Sequence, residues 1–325
     1  MRAPALDLPL SDALYAHLRD LLLARLGLHF PERRRADLVR GLSQAAAQRG
    51  HTDLGRLASE LLAGDAAAWE AVVAQLTIGE TYFFRNREQF AALRERILPD
   101  LIGRRAASRL LRVWSAGCAT GEEPYSLAMT LADHLPADPP WQVSILGTDH
   151  NPLFLERARE ATYGAWSFRE TPDALRERFF TPVGQRWRLR PEIQRMVLLS
   201  RLNLAEPGYP AVVNGTSAMD LIFCRNVLIY FDAATTRAVI ERLFAALAPG
   251  GWLVVGHAEA STSLFQQFET VNAPGTVLYR KPASAPLFGG AAAPAIAPAP
   301  VAAAPAPARA APAVARSAPA APPPP

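Results

Sequence analysis

One stretch constrains the fold more than any other: Leu110 to His134. Leu110 to Trp114, apolar apart from Arg112, reads as a buried parallel strand. Small residues follow at Ser115, Ala116, Gly117, Ala119 and Gly121, and then Glu122, Glu123 and Pro124 open an amphipathic helix. Strand, tight glycine turn and helix is how an α/β sheet brings its backbone close to a ligand at the carboxyl ends of its strands. The turn lacks the G-x-G-x-x-G spacing of a dinucleotide site. Two carboxylates at the helix start repel a pyrophosphate but suit a cation or a hydroxyl-rich ligand. A nicotinamide-dependent oxidoreductase is therefore disfavoured. S-adenosylmethionine, with its sulfonium and amino groups, suits the stretch better.

Around this unit the chain divides by composition. From Ser11 to Leu76 four helices are expected, with Gly27 and Gly50 as stops and Asp53 or Thr52 and Asp65 as starts. The second carries Arg33, Arg34, Arg35 and Arg40, which read either as a solvated basic face or as a docking surface for an acidic partner. The expected domains are a helical one at 1–90 and an α/β one at 91–282 with a β insertion at about 181–200. An alanine- and proline-rich tail at 283–325 is too poor in large apolar residues to bury a core. The insertion is expected as two strands, 185–190 and 195–200, after a short turn at Thr181 to Gln185.

Three further strings carry chemistry. Thr77 to Asn86 places Tyr82, Phe83 and Phe84 before Arg85; the aromatics read as a plug between domains and Arg85 as a side chain aimed into a site. A second strand, Val143 to Leu146, ends in Gly147-Thr148-Asp149, and an acidic residue there accepts hydrogen bonds from ribose hydroxyls. Asn151 is the better cap for the helix that follows. A third buried strand, Leu221 to Cys224, stops on Arg225 and Asn226, with Tyr230 four residues beyond Asn226. Asn203 reads equally as a ligand contact or a loop cap. His257 reads as a structural hydrogen-bonder, and Cys224 as a buried thiol with no activating His beside it in sequence.

Only two cysteines occur, which argues against a disulfide framework or a zinc site and fits a reducing, cytoplasmic setting. No metal is expected. The first ten residues lack the basic start and apolar core of a signal peptide, and no apolar run reaches the ~20 residues of a membrane span. A net charge of +4 is only mildly basic, and no nucleic-acid partner or direct membrane insertion is expected.

The strings Val113 to Leu127, Thr77 to Asn86 and Asp220 to Asp232 closely resemble the CheR family, the chemoreceptor glutamate methyltransferases. The likeness runs from about Leu14 to Lys281. It implies a doubly wound, S-adenosylmethionine-dependent methyltransferase sheet with a small all-helical N-terminal domain and a small antiparallel β insertion. It implies cofactor contacts from Thr81 and Arg85, ribose binding by Asp149 and an adenine site at Asn203 and Leu204. It also implies a basic helix lying against the cytoplasmic helices of a methyl-accepting receptor. Glu123 is expected to hold polar groups of the cofactor, Arg225 and Asn226 to complete its wall, and Arg85 and Tyr230 to steer the substrate carboxylate. One departure stands out: the family usually carries Asn where this sequence has Gly79. A cofactor-binding, non-catalytic signalling module of the same fold is the alternative.

Overall fold

The computed structural model describes residues 11–285; the expected tail from residue 286 onward lies outside them. Four helices come first: α1 (Asp12–Leu26), α2 (Arg35–Gln48), α3 (Leu54–Leu62) and α4 (Ala66–Leu76). Their ends follow from local chemistry. Ser11, Asp53 and Asp65 accept hydrogen bonds from the backbone amides three residues on, and Gly27 closes α1 at φ +70°. Leu18, Leu22, Leu38, Leu42, Leu57 and Val72 form the buried centre of this bundle.

The helical core ends at Leu76, and Phe83 already belongs to the core of the sheet. A near-continuous helical stretch follows: α5 (Arg87–Ala92), a π-helical turn (Leu93–Ile97) and α6 (Leu98–Arg105). Then come β1 (Leu110–Ala116), α7 (Glu122–His134), β2 (Gln142–Asp149), α8 (Pro152–Glu160), β3 (Thr162–Tyr163), α9 (Asp173–Phe179), β4 (Phe180–Val183), β5 (Arg186–Leu189) and α10 (Pro191–Gln194). The chain finishes with β6 (Val197–Arg201), β7 (Met219–Cys224), α11 (Ala233–Ala246), β8 (Leu247–Val255), β9 (Glu269–Ala273) and β10 (Thr276–Arg280).

Seven strands make one sheet in the order β6-β2-β1-β7-β8-β10-β9. The first five are parallel, and β10 and β9 close the edge antiparallel. Register and period-2 alternation divide the apolar residues between two faces. Ile145, Val113, Leu221 and Trp252 lie in one row and pack into the core that holds α5 to α7. The next row, Leu146, Trp114, Ile222 and Leu253, packs on the opposite side with Val239, Ile240 and Leu243 of α11. Both faces are covered, which is why these strands read as continuous apolar runs.

The insertion is built differently from the expectation. β3, β5 and β4 form the small antiparallel sheet, with Gly184 at φ +59° in the β4–β5 turn. The stretch expected as its second strand, 195–200, instead falls largely in β6, which pairs parallel to β2 and forms the edge of the main sheet. Short half-apolar strands carry the same sequence signature in either place, and only partner geometry separates them.

Candidate active site

The parallel order runs outward in both directions from β1, so its carboxyl end is the topological switch point where α/β sheets bind ligands. The turn after β1 is shaped to leave a gap there. Gly117 has φ +79°, and a Cβ on it would lie 2.3 Å from Cγ2 of Val227. Gly117 and Cys118 donate their amides to Thr148 O, both at 2.8 Å, which lays the turn across the end of β2. Ala119 N then donates to Asp149 Oδ2 at 2.9 Å, while Asp149 Oδ1 accepts from Asn151 N at 2.8 Å. Burial pushes the Asp149 carboxyl above its ordinary range, and these amides pull it partly back. Because the folded chain holds that proton more tightly, its stability falls as pH rises between the ordinary and the raised value. Asn151 caps α8 through Leu153 N, as the sequence suggested.

The cleft over this turn has two adjoining compartments, which share Ile78, Gly117, Ala119, Asn226 and Tyr230. At one end stand Asp149, His150, Phe154, Leu202, Asn203 and Leu204. The second compartment is lined by Thr81, Arg85, Glu123, Arg225, Asn226 and Tyr230, so the expected site residues are divided between the two. Leu26 and Leu76, the last residues of α1 and α4, and Leu28 just beyond α1 supply part of the wall at the Asp149 end. His29 N donates to Tyr230 O at 2.8 Å, and Leu28 pairs with Phe231, which ties the end of α1 to the wall.

Arg85 is aimed by its neighbours. Phe83, fully buried, sits among Tyr163, Phe168 and Phe180 with ring centroids 4.8 to 5.1 Å away. Phe84 N donates to Ser126 Oγ at 3.0 Å. Phe84 and Asn86 both have positive φ, 57° and 66°, so the backbone is held in an unfavourable region on either side of Arg85. Arg85 Nη1 donates to Glu80 O at 2.7 Å and its guanidinium lies 5.7 Å from the Tyr82 ring. Tyr82 itself turns away and donates to Glu170 Oε1.

Glu123 and Arg225 form a buried ion pair, Nε to Oε2 at 2.7 Å, with side chains 10% and 3% exposed. Ser115 Oγ donates to the other oxygen, Glu123 Oε1, at 2.7 Å. Arg225 Nη1 reaches Arg85 O, Asn86 Oδ1 and Gln89 Oε1 at 2.7, 3.3 and 2.8 Å. Arg225 is thus a strut as well as part of the wall. Asn203 proves to be a loop cap within the wall: Nδ2 donates to Arg25 O and Oδ1 accepts from Ala205 N.

Residues 79–277 match the family described as CheR methyltransferase, SAM binding domain. The chain belongs to the CheR methyltransferase family. Chemotaxis protein methyltransferase 2 of Vibrio cholerae is 30% identical over 278 residues, 85% of this chain and 95% of that protein. Chemotaxis protein methyltransferase of Salmonella typhimurium is 35% identical over 267 residues, covering 80% and 88% respectively. Chemotaxis protein methyltransferase 1 of Pseudomonas aeruginosa is 33% identical over 249 residues, covering 74% and 87%. Like them, this CheR chain is a methyltransferase, and its cofactor is S-adenosylmethionine. The site suits that group: a glycine turn that a Cβ would block, the Glu123 and Asp149 carboxylates beside it, and apolar Phe154, Leu202 and Leu204 at one end.

Several site residues were not legible as such. Glu259 lies beyond β8, only 6% exposed, and its carboxylate gathers five backbone amides. Oε1 accepts from Val227 and Leu228 at 2.8 Å and from Ile229 at 3.4 Å; Oε2 accepts from Asn226 at 2.8 Å and Gly256 at 2.6 Å. It holds the Asn226–Tyr230 loop in place. The only signal was an acidic residue at the carboxyl edge of the sheet. His150 lines the Asp149 end of the cleft with an imidazole held neutral, its pKa pushed down to about 4 by burial and by Arg201. His257 is a structural bridge between Asn86 Nδ2 and Gly275 O. Both cysteines are free and buried, and burial pushes both thiols well up, so neither is a ready nucleophile. Among the described residues no helix is long and apolar enough to cross a membrane.

Proposed function

We propose that this CheR chain transfers a methyl group from S-adenosylmethionine to glutamate side chains on the cytoplasmic helices of methyl-accepting chemoreceptors, acting in the cytoplasm. The observation carrying the reading is the convergence of Arg85 and Tyr230 on the Glu123 end of the cleft. When bound, S-adenosylmethionine supplies a methyl group on a sulfonium that departs as a neutral thioether. A glutamate carboxylate is already ionised near neutral pH, so it needs orientation rather than a base. Arg85 and Tyr230 supply that orientation. Burial raises the Tyr230 phenol above its ordinary pKa, so it stays protonated and donates a hydrogen bond. Asp149 takes the ribose hydroxyls, Glu123 the amino group, and Asn203 and Leu204 border the adenine. Thr81, Arg225 and Asn226 complete the wall. Holding the two reacting groups in line provides the effective-molarity gain. Ile78 and Ile229, 54% and 48% exposed at the rim beside Arg85, offer apolar contacts to the residues flanking the target glutamate.

The receptor surface includes α2 and the turn before it. There Arg35 pairs with Asp12 and Glu32, while Arg34 and Arg40 pair with Asp37. Four arginines against three carboxylates leave a weak positive balance, and exposed pairs of this kind contribute little each. The docking reading rests most on Arg33, which has no salt bridge among the described residues.

Incorporation of labelled methyl groups into receptor-bearing membranes, followed by mapping of the label, tests the reading. Label on glutamates is the expected result; cofactor binding without incorporation would leave the non-catalytic module standing. Two variants test the site. Asp149→Ala is expected to weaken S-adenosylhomocysteine binding about tenfold or more, since charge-assisted hydrogen bonds are worth ~1.5–3 kcal/mol. Unchanged affinity in a calorimetric titration would remove Asp149 from the site. Arg85→Lys keeps the charge but loses the planar fork, and a misplaced reacting group can cost about 100-fold in rate. Activity should fall by that order with the melting temperature unchanged. A Lys variant as active as wild type would make Arg85 structural only.

A further inference from the structure

The linker between the helical bundle and the sheet runs along the cleft against the start of α8. Thr77 Oγ1 accepts from Asn151 Nδ2 at 2.9 Å, and Thr77, Ile78 and Phe154 line the nucleoside end together. Gly79 makes the closest approach. A Cβ built on it would lie 2.5 Å from Cζ of Phe154, 2.8 Å from Cε2 and 2.9 Å from Cε1. Carbon atoms in contact ordinarily stand about 3.5–4.0 Å apart. The backbone does not require glycine there, because Gly79 is not among the residues with positive φ. The phenyl ring is what a side chain at position 79 would have to displace.

We propose that Phe154 is a cofactor-positioning residue. Its ring, seated on Gly79, takes the volume that a side chain at 79 would fill and provides an apolar wall for the nucleoside of S-adenosylmethionine. The same contact clasps the linker that carries Thr81 and Arg85 against α8. Positions 79 and 154 therefore act as one unit: a side chain at 79 requires the ring at 154 to leave its seat. The inference rests on the cleft being the cofactor site.

The test is a double-mutant cycle on the full chain, read as S-adenosylhomocysteine affinity by calorimetry and as KM for S-adenosylmethionine. Phe154→Ala and Gly79→Asn are each expected to weaken binding roughly tenfold, about what one lost aromatic contact or one displaced wall is worth. The double variant Gly79→Asn/Phe154→Ala should bind better than the product of the single losses, by about fivefold or more. Losses that simply multiply, or a Phe154→Ala variant that binds like wild type, would overturn the proposal. Melting curves without ligand report folding; should Gly79→Asn not fold, Gly79→Ala with Phe154→Leu gives the same cycle with smaller changes. Asp149→Ala run alongside separates the two layers. If it weakens binding while 79 and 154 show no coupling, only this inference falls. If it too is without effect, the cofactor site itself is misplaced.

Discussion

Arg225→Met is expected to lower the folding stability by about 3–5 kcal/mol, the cost of breaking a buried ion pair by removing one partner. The substitution keeps the apolar stem but strands the buried Glu123 carboxylate. It also leaves Arg85 O, Asn86 Oδ1 and Gln89 Oε1 without their common donor. Desolvation decides the sign here. The intact pair adds little net stability because both ions gave up water, whereas one ion left alone keeps the whole penalty. Pairing Arg225→Met with Glu123→Gln should consequently cost less than the two single changes added together. Urea unfolding midpoints at constant m-value measure this directly. A single-variant loss under about 1 kcal/mol would show that Arg225 does not brace the site. Arg85 activity should fall with it, since Arg225 holds the Arg85 carbonyl at 2.7 Å.

Glu259→Gln should release the Asn226–Tyr230 loop. The variant keeps size and one acceptor oxygen, but a carboxamide nitrogen replaces the other oxygen. Whichever way it sits, at least two amides now held by Glu259 face a donor instead of an acceptor. Buried donors without a partner cost ~1–3 kcal/mol each, so a loss of about 2–6 kcal/mol is expected, concentrated in the loop. Hydrogen exchange should therefore accelerate at Asn226, Val227 and Leu228 more than in β7 and β8. Methyl transfer should fall further than cofactor affinity, because Tyr230 rides on that loop while Asp149 is held independently through Ala119 and Asn151. Uniform acceleration throughout the sheet would point to a general core role for Glu259 rather than to positioning of the loop.

Local chemistry carried a large part of this protein in its sequence. Helix starts at Asp53, Asp65 and Asn151 are visible because a capping carboxylate or amide satisfies amides two or three residues away. The β1 turn is visible because positive φ at Gly117 and Gly121 suits glycine, and the acid closing β2 because a strand end is a short-range pattern. The methyltransferase family was likewise legible, because its strings are local and long. Tertiary structure decided how those pieces meet. Val197–Arg201 joined the main sheet rather than the insertion, since its short alternation fits either partner. Arg225 became a brace when the fold brought it to Glu123, and Glu259 became a loop anchor when β8 set it beside the amides of Asn226 to Ile229. Gly79 stands out in the sequence only as a departure from the family's Asn; the fold sets the Phe154 ring against it. The physical reason is common to all of these. A side chain's intrinsic chemistry is fixed by its residue type, but what it bonds, excludes or holds in a low dielectric depends on groups far away in the chain.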